Sequence, residues 1–442
     1  MRIRTTGLVA VLAAVAGALV FAGGCGASSG TSPASAVAPA ADAAIDADEG
    51  GDAPAGPGPD PCASGTPVPT QIPTLDAWPA FPAATAVDRT AAAHVTSVAV
   101  PGAPAGIQIA KSGDWVYAAL GPKAQGQLGL LKRSGTTLTW DHGVAMPANA
   151  LPFGLAQSDD GALVAVSAGT QVVLVDAAKA KASDAGAVVA PVPNHSAQGT
   201  AIDVKLSRDG KFAFAALEFD GGVAVVDVVA RSYVGVIPIA GNGVTGIAVS
   251  PDGARLYVVT EAANEFTKAN PSPQQDQLVG SVTVVDAALA TTNPAGSVLG
   301  RAFVGRAPVR VALSSDGATL WVTLRGSNAV VALSTERLLS TTCTPVLATV
   351  AVGPAPVGLT LIRGGTAVAI TSSNRFAAPA DNQTVTFVNV ARALAHASDA
   401  LVGQVTVGAF PREVTADGDA LFVSNFNSST ISGIDLSGLT FE

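Results

Sequence analysis

Short apolar runs, each followed by a glycine-centred turn and a second apolar run, occur seven times along this chain of 442 residues. The clearest copy reads Gly246-Ile-Ala-Val-Ser-Pro-Asp-Gly253, and Leu256–Thr260 follows it at once. Alternation with a period of two is typical of β-strands, and Asp before Gly is typical of tight hairpins. The pattern therefore predicts short antiparallel strands.

The turn glycines mark a repeat of 43 to 64 residues and are Gly113, Gly161, Gly210, Gly253, Gly317, Gly365 and Gly418. In several copies a third strand follows, such as Val282–Asp286, and then a fourth that leads through Val-Gly into the next copy. One such unit cannot bury its own apolar faces, so copies must stack, as the blades of a propeller do. The sequence predicts an all-β, seven-bladed β-propeller over residues 86–442.

Both ends of the repeat region contribute to the predicted ring closure. The last copy stops after its third strand, Ile431–Leu436, and the apolar run His94–Val100 precedes the first complete copy. Unpaired strand edges favour aggregation, and pairing these two segments removes them. We therefore expect His94–Val100 to be the outer strand of the last blade.

The repeat resembles the YVTN family of seven-bladed β-propellers. The stretch Ile237–Thr260 is similar to the family's blade signature, and Phe422-Val-Ser-Asn425 is the nearest copy of its eponymous tetrapeptide. The resemblance covers residues from about 93 onwards and implies the fold. It does not select a function, because related propellers include lactonases, electron-transfer partners and surface proteins.

The N-terminus has the features of an export signal. Arg2 and Arg4 precede an apolar run over residues 7–21, and Ala22-Gly-Gly-Cys25 follows. This predicts a lipoprotein signal peptide over residues 1–24, since the junction resembles a bacterial lipobox in which Cys25 is lipidated. A cleaved signal peptide with an incidental cysteine is the alternative. The expected location is the bacterial cell envelope, and Gly26 after the cysteine favours the outer membrane in a Gram-negative organism.

Residues 25–85 are rich in Ala, Pro, Gly, Ser and Thr and have few large apolar groups, which predicts a disordered tether. The whole chain has 33 Asp and Glu against 24 Lys and Arg. Seven of these acids lie in the tether, so the remainder is close to neutral. This argues against a nucleic-acid partner, which would require a basic surface.

Motifs for haem, phosphate loops and zinc are absent from the sequence, so we predict no cofactor and no metal. The four histidines show no metal-ligand spacing and are His94, His142, His195 and His396. Of these, only His195 lies on a predicted loop between blades, where a ligand can reach it.

Candidate site residues emerge from aligning the copies at the start of the innermost strand, where the residues are Gly106, Gly154, Asp203, Gly246, Arg310, Gly358 and Glu413. Three copies carry a charge in place of glycine. Loops after the second strand open on the same side, which we call the mouth face. The charged trio is joined there by Arg412, Glu218, Glu261, Arg325, Arg375 and Asn425. An exposed Arg310–Glu413 ion pair with a structural role is the alternative.

These observations favour a monomeric, non-catalytic, membrane-tethered binding module that presents the mouth face to a protein, a glycan or a small ligand. The alternative is a lactonase-like hydrolase that uses the channel mouth. The sequence predicts no identity for the ligand.

Cys62 and Cys343 are the thiols that remain once Cys25 is lipidated, and an exported protein retains disulfides. We therefore predict that the two are paired, the alternative being two unpaired thiols. Cys343 lies in the loop Thr335–Pro345, on the face opposite the mouth, and we expect the tether to arrive on that face.

Overall fold

The computed structural model describes residues 77–121, 126–183, 185–263, 278–375 and 383–441. In this part of the chain, seven four-stranded antiparallel sheets form the blades of a β-propeller, which confirms the predicted fold. The predicted signal peptide, Cys25, Cys62 and the tether up to residue 76 lie outside the described residues.

Blades 1 to 4 are consecutive along the chain. Blade 1 contains β2 (Ala103–Ile109), β3 (Trp115–Gly121), β4 (Gln127–Ser134) and β5 (Thr137–Ala145). Blade 2 contains β6 (Pro152–Gln157), β7 (Leu163–Ala168), β8 (Gln171–Asp176) and β9 (Val188–Pro193). Blade 3 contains β10 (Ala201–Leu206), β11 (Phe212–Leu217), β12 (Gly222–Asp227) and β13 (Ser232–Pro238). Blade 4 contains β14 (Asn242–Val249), β15 (Arg255–Ala262), β16 (Val279–Asp286) and β17 (Val298–Arg306).

Blades 5 to 7 complete the ring. Blade 5 contains β18 (Pro308–Leu313), β19 (Thr319–Leu324), β20 (Ala329–Ser334) and β21 (Val346–Ala351). Blade 6 contains β22 (Pro356–Ile362), β23 (Ala367–Ser372), β24 (Gln383–Asn389) and β25 (Leu401–Val407). Blade 7 contains β26 (Pro411–Asp417), β27 (Ala420–Asn425), β28 (Thr430–Asp435) and β1 (Thr96–Ala99).

Short helices follow the third strand in three blades and are α1 (Ala177–Lys181), α2 (Ala287–Ala290) and α3 (Val390–Leu394). Single 3-10 turns occupy Pro294–Gly296, Arg325–Ser327, Glu336–Leu339 and Arg363–Gly365. None of the helices in the described part of the chain has the length and hydropathy needed to cross a membrane.

The Asp-Gly turns join the first and second strands of a blade, as predicted. At the blade 2 turn, the Ser158 hydroxyl donates to Asp160, whose carboxylate also accepts the Ala162 N–H at 2.9 Å. Gly161 has a φ of +75°, a conformation that glycine adopts without steric cost. These turns define one face of the propeller, the turn face. The mouth face, on the other side, carries the loops after the second strands and the connections between blades.

Blade 7 closes the ring as the sequence predicted. Strand β1 pairs antiparallel with β28, from Thr96 opposite Gly433 to Ala99 opposite Thr430. Blade 1 also contacts blade 7 directly, because Arg133 forms an ion pair with Asp417 at 2.6 Å. The core is divided among the blade interfaces, where Val, Ala and Leu side chains of neighbouring sheets pack together.

Residues 77–86 form a strap along the mouth face, although composition assigned all but the last of them to the disordered tether. The Phe81 N–H donates to the Ser327 carbonyl at 2.9 Å, and the Ala84 N–H donates to the Val352 carbonyl at 2.8 Å. The Trp78 ring packs against an apolar cluster of blade 4. Aromatic side chains explain why this end of the linker lies on the fold. The expectation that it arrives on the turn face is therefore wrong for these residues.

Candidate functional site

The aligned positions on the innermost strands form a ring that we call the waist: Gly106, Gly154, Asp203, Gly246, Arg310, Gly358 and Glu413. In every blade the pairing of the innermost strand shifts register here, as at a β-bulge. A Cβ atom added at Gly106 would lie 2.3 Å from the Phe153 carbonyl oxygen of the next blade. A side chain at Gly106 would thus clash with the backbone of the next blade.

Arg310 and Glu413 pair with each other across the waist. The Arg310 Nε donates to Glu413 Oε1, and its Nη1 donates to the carbonyls of Thr245 and Val309. The two side chains are only 9% and 23% exposed, so the expectation of an exposed ion pair is wrong. Burial disfavours the charged guanidinium, but the carboxylates of Glu413 and Asp203 prevail and raise the pKa of Arg310.

Asp203 is also satisfied by the protein itself. Its carboxylate accepts the Val204 N–H at 2.9 Å, the Ile247 N–H at 2.9 Å and the Lys205 ammonium at 2.7 Å. Because Ile247 belongs to the next blade, Asp203 joins blades 3 and 4. The three charges that replace glycine at the waist therefore hold the blades together, which is the structural alternative that the sequence left open.

A cavity of about 560 Å³ lies between the waist and the turn face. Asp203, Arg310 and Glu413 line it at the waist, and Lys111, Asp159, Ser207 and Arg208 line it near the turns. Asp159 lies 3.4 Å from the Lys111 ammonium and 3.7 Å from the Arg208 guanidinium. This cavity opens on the side opposite the predicted mouth.

A second ring of side chains, the collar, lies one residue before the waist on each innermost strand and so nearer the mouth face. Its members are Ala105, Phe153, Ile202, Thr245, Val309, Val357 and Arg412. All but Thr245 and Arg412 are apolar. Arg412 is thus the only charged residue among the seven collar positions.

Arg412 is surrounded by three phenyl rings. Its guanidinium carbon lies 5.5 Å from the ring centre of Phe153, 5.8 Å from that of Phe410 and 5.6 Å from that of Phe426. Its Nε is buried, and no residue of the described chain accepts a hydrogen bond from it. Burial, together with the nearby Arg310 charge, lowers the pKa of Arg412 to about 10, so the group stays cationic at neutral pH.

Glu218 is the second charged group at the mouth without a partner of its own. It follows β11, and its backbone is fixed because its carbonyl accepts the Gly243 N–H at 2.9 Å. Its half-buried carboxylate makes no hydrogen bond or ion pair with the described residues. Burial and then the charge of Glu261 raise the pKa of Glu218 to about 7, although Arg412, Arg325 and Arg375 act in the opposite direction.

The remaining predicted residues differ in their surroundings. Glu261 and Arg325 form a buried ion pair at 2.6 Å, with 6% of each side chain exposed. Asn425 is buried and donates to the hydroxyls of Thr430 and Ser432, so it supports the blade 7 loop. Arg375 is half-buried on the loop after β23, within electrostatic range of Glu218.

The histidines lie away from this cluster. The His142 ring contacts Asp141 and the Ala180 carbonyl, and the His195 ring lies 4.3 Å from the ring of Tyr233. His195 borders a separate cavity of about 370 Å³, together with Thr170 and other residues. The described residues contain no group of His, Cys, Asp and Glu side chains suited to a metal ion.

Eight of the nine predicted site residues thus lie around the waist and mouth, while Asn425 is buried in its blade. The sequence analysis missed the aromatic partners of Arg412, namely Phe153, Phe410 and Phe426. A signal for Phe153 was present, since it precedes the aligned Gly154 by one residue, as Arg412 precedes Glu413. The other two flank blade 7 on loops and carry no repeat signal.

The comparisons with known proteins support the fold. The structure is similar to hydrazine synthase from Kuenenia stuttgartiensis, with a TM-score of 0.61 and 18% identity over 77% of this chain and 98% of that chain. It is also similar to the β-propeller domain of Cps50 (Swd1) from Myceliophteria thermophila, with a TM-score of 0.58 and 13% identity over 78% of this chain and 100% of that one. Neither a family model nor a curated protein matches the chain significantly. At these identities the likeness concerns the propeller alone.

Proposed function

We propose that this chain is a monomeric, non-catalytic binding module that is tethered to a membrane and presents the mouth face of its propeller to a ligand. The proposal rests on Arg412 and Glu218, two charged groups at the mouth that have no ion-pair partner in the described chain. A charge removed from water without a partner is costly, and a bound ligand supplies such a partner. The charged residues of the waist already have partners within the protein, so they do not call for a ligand.

Membrane attachment through Cys25 is part of the proposal and rests on the leader and the Ala22-Gly-Gly-Cys25 junction. The resemblance of the repeat to YVTN propellers is consistent with a cell-envelope role. Mass spectrometry of the N-terminal peptide from the native protein tests the attachment. A lipid-modified Cys25 is expected, and an unmodified N-terminus or a retained leader contradicts it.

We retain the pairing of Cys62 with Cys343 as a prediction. Cys343 lies in the loop between β20 and β21, on the turn face of blade 5. The same native preparation, unfolded without reductant and titrated for thiols, is expected to show none. Two reactive thiols per chain would contradict the pairing.

A thermal-shift screen of the mature full-length chain tests the binding function, because a ligand that binds the folded state raises its melting temperature. The panel contains organic acids, amines and oligosaccharides. Shifts are expected to disappear in the double variant Arg412→Ala/Glu218→Gln and to persist in Arg208→Ala, whose side chain lies near the turn face. Shifts that persist in the mouth variant and vanish in Arg208→Ala would assign binding to the turn-face cavity instead.

A lactonase-like hydrolase is the second candidate, and one observation favours it. Glu218 has a pKa of about 7, suited to a general base, and lies within electrostatic range of the Arg412 cation, which can stabilise a developing oxyanion. Turnover of a lactone panel that Glu218→Gln abolishes, with the variant still folded, would establish this function. If the wild type turns over none of the lactones, the hydrolase is excluded for this panel and the binding module stands as the proposed function.

A further inference from the structure

The phenyl rings around Arg412 are placed at the mouth rather than in the core. Phe153, Phe410 and Phe426 are each half-buried, and they come from blade 2 and from two loops of blade 7. Aromatic residues make up only 5% of this chain. The blade interfaces are instead packed mainly with Val, Ala and Leu. Three rings around one guanidinium therefore form a local apolar environment that the packing of the blades does not require.

The protein leaves the hydrogen-bonding capacity of Arg412 unused. Cation–π contacts stabilise a guanidinium through its faces, but they do not satisfy N–H donors at its edge. The buried Nε has no acceptor in the described chain, whereas two other arginines near the channel, Arg310 and Arg325, each have a carboxylate partner. Arg412 thus lacks the one group, a planar anionic acceptor, that its neighbours have.

Building on the proposed binding function, we infer that Arg412 binds the carboxylate of a small apolar organic acid. The fork of N–H donors on a guanidinium matches the two oxygens of a carboxylate. The apolar part of the acid packs on Phe153, Phe410 and Phe426, next to the apolar residues of the collar. A single negative charge fits best, because Arg412 supplies one positive charge and Glu218 disfavours a second negative charge on the ligand.

Glu218 makes this binding sensitive to pH. Burial and then the charge of Glu261 raise the pKa of its carboxyl to about 7, against the opposing charges of Arg412, Arg325 and Arg375. Below that pH the Glu218 side chain is protonated and neutral, so it does not oppose an anionic ligand. Above that pH the Glu218 side chain is negatively charged and repels the ligand. The affinity for an organic acid should therefore fall as the pH rises through about 7.

Titration calorimetry of the mature full-length chain tests the inference with three probes of similar shape: 3-phenylpropionate, its neutral amide, and 3-phenylpropylamine. The carboxylate is expected to bind saturably, and the amide about tenfold more weakly or worse, as for the loss of a charged hydrogen bond. Arg412→Ala should weaken carboxylate binding to a similar extent, and Arg412→Lys to a lesser extent. Arg392→Ala, which removes an exposed arginine on α3, should change nothing.

The pH dependence supplies an independent readout. Wild-type affinity for 3-phenylpropionate should fall several-fold between pH 6 and pH 8, and Glu218→Gln should flatten this profile. Circular dichroism and melting curves establish that each variant is folded.

Equal affinity for the acid and its amide, unchanged binding by a folded Arg412→Ala, or no saturable binding by the wild type would each overturn the inference. Preferential binding of the amine, lost in Glu218→Gln, would overturn it while leaving the proposed function intact. The proposed function itself fails on a different result, namely ligand-induced shifts that survive the double mouth variant and require Arg208.

Discussion

The waist and the collar are adjacent rings of the same channel, yet they treat charge in opposite ways. At the waist, Arg310, Glu413 and Asp203 are each bonded to other blades or to one another. In the collar, one residue nearer the mouth, Arg412 is surrounded by phenyl rings and has no hydrogen-bond acceptor in the described chain. In both rings a charged residue replaces a small or apolar one. At the waist the charge is bonded within the protein, and in the collar it is not.

The difference shows which charged residues indicate a site. A buried charge that the protein pairs contributes to structure, and removing one partner is costly. The charge to which we assign a ligand is instead held in place without a partner in the described chain. Alignment of the repeats finds both the paired and the unpaired charged residues. Only the contacts in the structure distinguish one kind from the other.

The largest effect is expected from Arg310→Ala at the waist. The substitution leaves the half-buried Glu413 carboxylate without its cation, and breaking a buried pair in this way typically costs about 3–5 kcal/mol of unfolding free energy. Urea unfolding measures this, and Glu413→Ala combined with Arg310→Ala should cost less than the sum of the two single variants. Arg392→Ala, which breaks the exposed pair with Asp399, should cost less than about 1 kcal/mol. Equal losses of unfolding free energy for Arg310→Ala and Arg392→Ala would mean that the waist ion pair stabilises the fold no more than an exposed pair does.

A smaller effect is expected from Gly358→Ala, which tests whether the waist is as narrow as the glycines indicate. The added Cβ would lie 2.3 Å from the Arg412 carbonyl oxygen and 3.0 Å from the Glu413 Cα. Overpacking of this kind typically costs about 1–3 kcal/mol. Gly121→Ala is the matched control, because its Cβ would meet no atom of the described residues nearer than 3.5 Å. Similar melting temperatures for the two variants would contradict a tight waist.

The smallest effect concerns Glu218, where the pKa of about 7 lies above the usual 4.5. The unfolded chain releases this proton at lower pH than the folded chain does, so stability falls as the pH rises from about 4.5 to about 7. Glu218→Gln cannot ionise, and its advantage over the wild type should grow across that window by on the order of 1–2 kcal/mol. Melts at about pH 4.5 and pH 8 measure it, with the exposed Glu336→Gln as control. An advantage that does not change with pH would mean that Glu218 is solvated like a surface residue.

Much of the fold was predictable because it is local and repeated. Asp252-Gly253 and its counterparts fix the hairpins, and the apolar alternation fixes which faces are buried. Ring closure followed from the missing fourth strand, and β1 occupies that place. The strap was not predicted, because its composition is that of a linker and only Trp78 and Phe81 distinguish it.

The site was predictable in position but not in detail. Alignment placed Arg310 and Glu413 at the channel, since both occupy a repeat position whose location is known for any propeller. Their burial depended on the width of the waist, which sequence spacing does not give. The cage around Arg412 brings together Phe153 and Phe426, residues more than half the chain apart. No local pattern reports such a contact, because it depends on how the ring closes.

The strap has a mechanical consequence. A pull on the chain at residue 77 would first load the contacts of Trp78, then the backbone hydrogen bonds of Phe81 and Ala84, then those that Val87 and Arg89 make with Gln404. Only after these had failed in turn would the load reach β1 and the closing blade. Contacts loaded one at a time yield at low force and dissipate work, whereas the strands of a closed ring resist together. The strap would thus act as a series of sacrificial links that protects the ring from tension.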